Sequence, residues 1–159
     1  MDEIKMRHMS PDDFQSIIIV VNQWWGGRNM SDMLPKLFFV HFQPTSFVVE
    51  HDGLIVGFLV GFLSQTFEDE AYIHFVGVHP DFRKHGLGSR LYKTFIDQVR
   101  TLGRKKVSCV TAPVNKTSIR FHLSQGFMPK QGNRIEGDVS VVENYDGPGG
   151  DRVLFSKMI

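Results

Sequence analysis

Apolar residues recur along this chain in two different periods, and the switches between them predict its elements. Residues 3–9, EIKMRHM, alternate weakly and read as a first strand. Ser10-Pro11-Asp12-Asp13 then starts a helix, with a capping hydroxyl, a proline at the first helical position and acids in the first turn. Phe14, Ile17, Ile18, Val21, Trp24 and Trp25 keep helical spacing up to Gly26-Gly27, and a second helix is expected within residues 30–42, its start obscured by Pro35. Two apolar runs, SFVVEH and LIVGFLVGFL, flank Asp52-Gly53, a hairpin signal, and AYIHFVGV follows the acidic turn Glu68-Asp69-Glu70 as a third strand. Leu87, Leu91, Phe95, Val99 and Leu102 form the stripe of an amphipathic helix that ends at Gly103. KKVSCVT reads as a buried strand, and Asn115 can cap a short helix that closes at Gly126. The tail alternates through residues 139–143 and 152–158, separated by NYDGPGG. The order is strand, two helices, three strands, helix, strand, helix, two strands, which is a mixed α/β layered domain.

Bulk properties narrow the class. A chain of 159 residues suits one domain, residues 1–159, with a real core. A formal net charge of +1 gives no electrostatic reason to expect nucleic acid or an anionic membrane as partner. The single cysteine, Cys109, forms no internal disulfide and reads as a core residue, and no Cys/His spacing suggests a metal. The apolar stretches are too short to span a bilayer and MDEIKMRHMS has no signal-peptide core, so a soluble cytoplasmic protein is expected.

The candidate chemistry lies in HPDFRKHGLGSRLY, residues 79–92. No GxxxxGK[ST] occurs, and the dinucleotide fingerprint GxGxxG fails because Leu91 stands at its third glycine. What remains is a glycine turn between a strand and a helix N-terminus, where backbone N–H groups and the helix dipole favour an anion. Glycine spacing alone leaves this open between an anion site and an ordinary basic connection.

The residues around the turn carry a resemblance. VGVHPDFRKHGLGSRLY resembles the pattern V-x-P-x-x-[RQ]-x-x-G-x-[GA] of the GNAT superfamily of acetyl-CoA-dependent acyltransferases, through Val78, Pro80, Arg83, Gly86 and Gly88. NKTSIRFHLSQGF resembles that family's downstream segment through Asn115, Ser118, Phe121, Gly126 and Phe127. The element order matches over nearly the whole chain. The resemblance implies an α/β (α+β) GNAT fold: a mixed central sheet of about seven strands, splayed between the fourth and fifth and flanked by about four helices.

It also implies roles. Arg83, Lys84, His85, Gly86, Leu87, Gly88 and Ser89 would hold the coenzyme A pyrophosphate through backbone N–H groups, with the arginine and lysine side chains assisting. Val76 and Val78 would pair with the pantetheine arm, and the Val76 N–H would polarise the thioester carbonyl. Asn115 would bond that arm, and Ser118, Phe121 and His122 would line it. Acetyl-CoA is the expected co-substrate and no metal is expected. An amine would attack the acetyl carbon directly, so Cys109 gets no catalytic role.

Many relatives carry tyrosine where this chain has His122, as the acid that protonates the departing thiolate. His122 is therefore either a changed acid or a wall of the acyl pocket, and both readings stay open. Period two puts Tyr72, His74, Val76 and Val78 on one face of their strand, and His74 aligns with a histidine implicated in proton relay in the arylalkylamine branch. His74 is the candidate base, with a structural strand histidine as the alternative. Trp24, Trp25, Tyr72 and Tyr145 are candidates to contact an apolar or cationic amine, though at least one tryptophan is expected in the core. GRKKV, residues 103–107, reads as a solvated edge. The expected activity is acetyl transfer to a primary amine on a small molecule or peptide. The alternative is a catalytically weak coenzyme-A-binding regulatory module. Homodimers are common in the resembled family.

Overall fold

A computed structural model describes residues 3–159. Its strands are β1 Ile4–His8, β2 Phe47–His51, β3 Leu54–Leu63, β4 Glu70–Val78, β5 Lys106–Thr111, β6 Met128–Pro129, β7 Arg134–Glu136, β8 Val139–Val141 and β9 Val153–Met158. Its α-helices are α1 Asp13–Ile18, α2 Val21–Trp24, α3 Leu37–His41, α4 Leu87–Thr101 and α5 Lys116–Ser124. Seven strands form one mixed sheet in the order β1-β2-β3-β4-β5-β9-β6, and β7-β8 is a separate hairpin. β1, β2 and β3 are antiparallel neighbours, while β4 pairs in parallel with β5. The expected mixed sheet is therefore present. The first expected helix breaks into α1 and α2 around the exposed Ile19. Likewise Pro35 reduces the expected second helix to a 3-10 turn, Ser31–Met33, and the short α3.

The chain divides into two compact units. One comprises the described residues through Leu63 with Ile73–Gly103; the other comprises Ser64–Tyr72 and Arg104–Ile159.

In the first unit, Asp52 and Gly53 both take positive φ, 52° and 78°, as a tight hairpin between right-twisted strands requires. One face of β3 packs with β4 and the early helices, where Phe58 stacks on Phe75 at 5.6 Å among Ile17, Val21, Leu34 and Phe39. The other face receives α4. Leu87, Leu91, Phe95 and Val99 are buried at i, i+4 spacing, and each such burial is worth about 1.5–3 kcal/mol. Gly61 makes that approach possible, since a Cβ there would lie 2.3 Å from Phe95 Cε2. Leu102, expected on the same stripe, caps the helix and is exposed. Asp13, expected to be a first-turn acid, is buried instead and receives a bidentate pair from Arg7 at 2.8 and 2.9 Å. Burial pushes the Asp13 carboxyl up, but the bonds from Arg7 and the Ser10 amide outweigh it and hold it below its ordinary value. Arg7 also bonds Glu50, tying β1 to β2 and to the start of α1.

In the second unit, β5 pairs with β9 in antiparallel register from Lys106–Met158 to Thr111–Val153. Val107, Cys109, Val153 and Phe155 are buried, whereas Ser108, Val110, Leu154 and Ser156 are only half-buried. The strand read as buried is thus buried on one face and half-buried on the other. α5 starts as predicted, with Asn115 Oδ1 accepting the Ser118 N–H at 3.2 Å, and the turn after it passes through Gly126 at φ +87°. The expected solvated edge is partly engaged: Arg104 donates to the carbonyls of Phe67 and Glu68, and Lys106 pairs with Glu70 at 3.4 Å. Among the described residues no helix is long and apolar enough to cross a membrane.

Candidate functional site

In the first unit the residues after β4 build a firm turn. His79 N–H donates to Val56 O at 2.8 Å, and its Nδ1 accepts the Asp81 N–H at 3.0 Å. Arg83, expected to reach an anion, donates from Nε to Val78 O at 3.1 Å and from Nη2 to Trp24 O. Its guanidinium therefore braces the turn against α2. Lys84 follows at φ +65° and Gly86 at φ +79°, the two left-handed residues that swing the chain into α4. Lys84 and His85 are exposed; Leu87 buries its side chain and offers only backbone. The bond from Arg90 N–H to Gly86 O, 3.0 Å, is the first of α4, so the amides just before it project from the helix N-terminus. A Cβ built on Gly86 would meet nothing within 4 Å. Backbone donors, a helix dipole, an exposed lysine and open space suit a dianionic phosphate group.

On β4, Val76 and Val78 are half-buried on the face that also carries His74. The His74 ring stacks on Phe38 at 4.3 Å, and its Nε2 lies 2.6 Å from Met33 O. A carbonyl can only accept, so Nε2 carries the proton and the neutral ring keeps its lone pair on Nδ1. Burial lowers the His74 pKa, opposed by the bond to Met33, and the ring is neutral at pH 7. Trp24 is 5% exposed and packs on Phe58 and His79, so it belongs to the core and not to an acceptor surface. Trp25 is half-buried against Phe75 at 5.0 Å.

In the second unit α5 brings Asn115, Ser118, Phe121 and His122 onto one short element. His122 is 6% exposed, stacked on Phe155 at 5.1 Å and edged by Phe121 and Phe127. Its Nδ1 lies 2.7 Å from Ser118 O and so carries the proton. Burial lowers its pKa, with the Ser118 bond opposing. At pH 7 the ring is therefore neutral, with its proton on Nδ1.

Tyr72 and Tyr145 meet in the same unit, both lining a groove on the open sheet face. Burial raises the Tyr72 phenol above its ordinary value, aided by Cys109, Tyr145 and Asp146. Cys109 is buried and its thiol is raised by desolvation, which leaves it unreactive. Sequence reasoning missed Met33 and Phe38 as the setting of His74, and it missed the groove. The alternation of Lys106, Ser108 and Val110 along β5 was the signal for that open face. Among the described residues no cluster of three or more His, Cys, Asp or Glu could hold a metal.

A glycine turn suited to an anion at a helix N-terminus after β4, followed by a parallel β5 and an Asn-capped α5, places the chain in the mixed α/β class. Residues 9–127 match the Acetyltransferase (GNAT) family, and the chain belongs to it. Among particular relatives, an L-2,4-diaminobutyric acid acetyltransferase of Vibrio parahaemolyticus is 35% identical over 78 residues, which cover 49% of this chain and 43% of that protein. The match thus spans less than half of that relative's length. Two solved structures share the fold over 98% of this chain. One is Ard1 from Thermoplasma volcanium, with TM-score 0.78 and 22% identity over 97% of that chain. The other is diaminobutyrate acetyltransferase EctA from Paenibacillus lautus, in complex with L-2,4-diaminobutyric acid and coenzyme A, with TM-score 0.75 and 19% identity over 95% of that chain. At these identities the likeness is one of fold.

Proposed function

We propose that this chain acts as one acetyltransferase domain that moves an acetyl group from acetyl-CoA to a primary amine of a small molecule or peptide. The observation that carries the reading is Gly86, left-handed at the N-cap of α4 with open space on its Cβ side. Family membership and the diaminobutyrate acetyltransferases among its relatives support it.

Acetyl-CoA supplies an activated thioester whose acetyl carbon an amine can attack directly. The backbone amides around Gly86 to Ser89 hold the diphosphate, and Lys84 adds charge at its edge. Arg83 contributes by rigidity, because its guanidinium is committed to the Val78 and Trp24 carbonyls. The Val76 N–H polarises the thioester carbonyl and Asn115 bonds the pantetheine arm. His74 takes the amine's proton at Nδ1, directly or through water, since Met33 O already occupies Nε2–H. His122 shapes the pocket and holds no proton toward sulfur, so solvent protonates the thiolate.

The test is thiol release from acetyl-CoA over a panel of amines. Turnover on at least one class is expected. Tight coenzyme A binding with no turnover on any class would instead favour the regulatory module, a reading that the neutral His122 ring supports.

A further inference from the structure

The turn between β4 and α4 is closed at its entrance by a histidine side chain. His79 precedes Pro80, which favours the extended backbone His79 adopts at φ −53°, ψ 134°. Pro80 has no N–H, so the first donor of the 3-10 turn Pro80–Phe82 is the Asp81 amide. His79 Nδ1 accepts that N–H at 3.0 Å, which requires Nδ1 to be without a proton. His79 O accepts the Phe82 N–H at 2.8 Å, so one residue closes the turn with both its side chain and its backbone.

The ring is itself held in place. It packs edge-on against Trp24 at 5.5 Å and against Phe82 at 5.6 Å, and Phe82 in turn meets His51 at 5.0 Å. A ring fixed between α2 and the turn has little rotamer freedom left to lose when Nδ1 bonds Asp81.

Downstream, Lys84 takes φ +65°, a conformation that a non-glycine residue keeps only where its surroundings impose it. The bond from Arg83 N–H to Pro80 O is long, 3.4 Å, so the turn depends on its other anchors. At its exit Arg83 donates to Val78 O and Trp24 O. Trp24 thus serves both ends, its ring against His79 and its carbonyl accepting from Arg83. Between them these two residues decide where the corner from Lys84 to Gly86 stands.

We infer that His79 is a positioning residue for coenzyme A, its Nδ1 cap keeping the Lys84–Ser89 amides arranged for the diphosphate before any ligand arrives. The inference rests on the acetyltransferase reading for the identity of the anion, whereas the order of the corner is measurable without it. The cap makes no bond to ligand. Its loss lowers the fraction of free protein whose corner is competent, and binding weakens by that fraction. One neutral hydrogen bond sets an upper limit of about fivefold.

Two variants divide the ring from its acceptor. His79→Phe keeps an aromatic ring against Trp24 and Phe82 but has no Nδ1. His79→Asn gives up the ring and offers Oδ1, which from an extended residue reaches the N–H two positions on. Calorimetry with coenzyme A should give a Kd about two- to fivefold above wild type for His79→Phe, and His79→Asn should recover most of it. Under turnover the acetyl-CoA KM should rise by the same factor while kcat stays within about twofold. In the ligand-free proteins, hydrogen exchange at the Lys84–Gly88 amides should be faster in His79→Phe alone, with the α4 amides beyond Tyr92 unchanged as the control for folding. Equal Kd and equal exchange in wild type and His79→Phe, or His79→Asn as impaired as His79→Phe, would overturn the inference. Faster exchange at the corner with no coenzyme A binding by any of the three proteins would instead sink the acetyltransferase reading and leave the cap standing.

Discussion

Substituting Gly86 by alanine and by glutamate separates backbone strain from charge. Both side chains must adopt φ +79°, at about 1–2 kcal/mol for an L-residue, and neither Cβ meets an atom within 4 Å. Both variants should therefore lose the same stability, a Tm drop of about 2–8 °C for a chain of this size. Only glutamate adds a negative charge where the diphosphate is proposed to sit. Two unit charges about 6 Å apart repel by about 0.7 kcal/mol in water and about 3 kcal/mol at an effective dielectric constant of 20. A diphosphate carries about two charges, so Gly86→Glu should bind coenzyme A at least about tenfold more weakly than Gly86→Ala. The gap should shrink at 1 M salt, where the Debye length falls to about 3 Å. Titration calorimetry of both variants with coenzyme A reads the ratio. Equal Kd values for the two would refute the loop assignment, whatever the activity.

Four further outcomes are expected. His122→Phe should keep the stack on Phe155 and leave kcat within about threefold, whereas a hundredfold loss recovered by His122→Tyr would make residue 122 the acid. Because burial lowers the His122 pKa, the unfolded chain binds a proton that the folded chain refuses. Stability should fall as pH drops below about 6.5, and less so in His122→Phe, as thermal melts at pH 7 and 5.5 would show. His74→Ala should lose most activity near neutral pH and recover above pH ~9, where the amine deprotonates unaided; a loss uniform in pH would mark a structural role. Arg7→Met strands the buried Asp13 carboxylate and should cost about 2–3 kcal/mol, less than a fully buried pair because Arg7 is 35% exposed, with the coenzyme A Kd unchanged.

The parts of this molecule legible in the sequence are those set by local chemistry. Asp52-Gly53, the Leu87–Val99 stripe and the Asn115 cap each declare themselves within one or two turns of chain. The helix break at Ile19 was not legible, because helical spacing continues through it to Trp25. β6 and β7 were missed since two- and three-residue strands leave no period, and Pro129 argues against one. At the candidate site the glycine turn was readable, but the state of its side chains was not. Arg83 is diverted by a carbonyl 59 residues away in sequence, and the His74 proton is fixed by one 41 residues away. Whether a histidine is a neutral wall or an acid likewise depends on Phe155, 33 positions beyond His122 in the chain.

Mass spectrometry of the chain and its amines during turnover with acetyl-CoA addresses the central claim most directly. Direct transfer predicts that the amine gains one acetyl group while the intact protein mass stays unchanged, with or without amine present. An acetylated protein formed in the absence of amine, or no acetylated product from any amine offered, would contradict it.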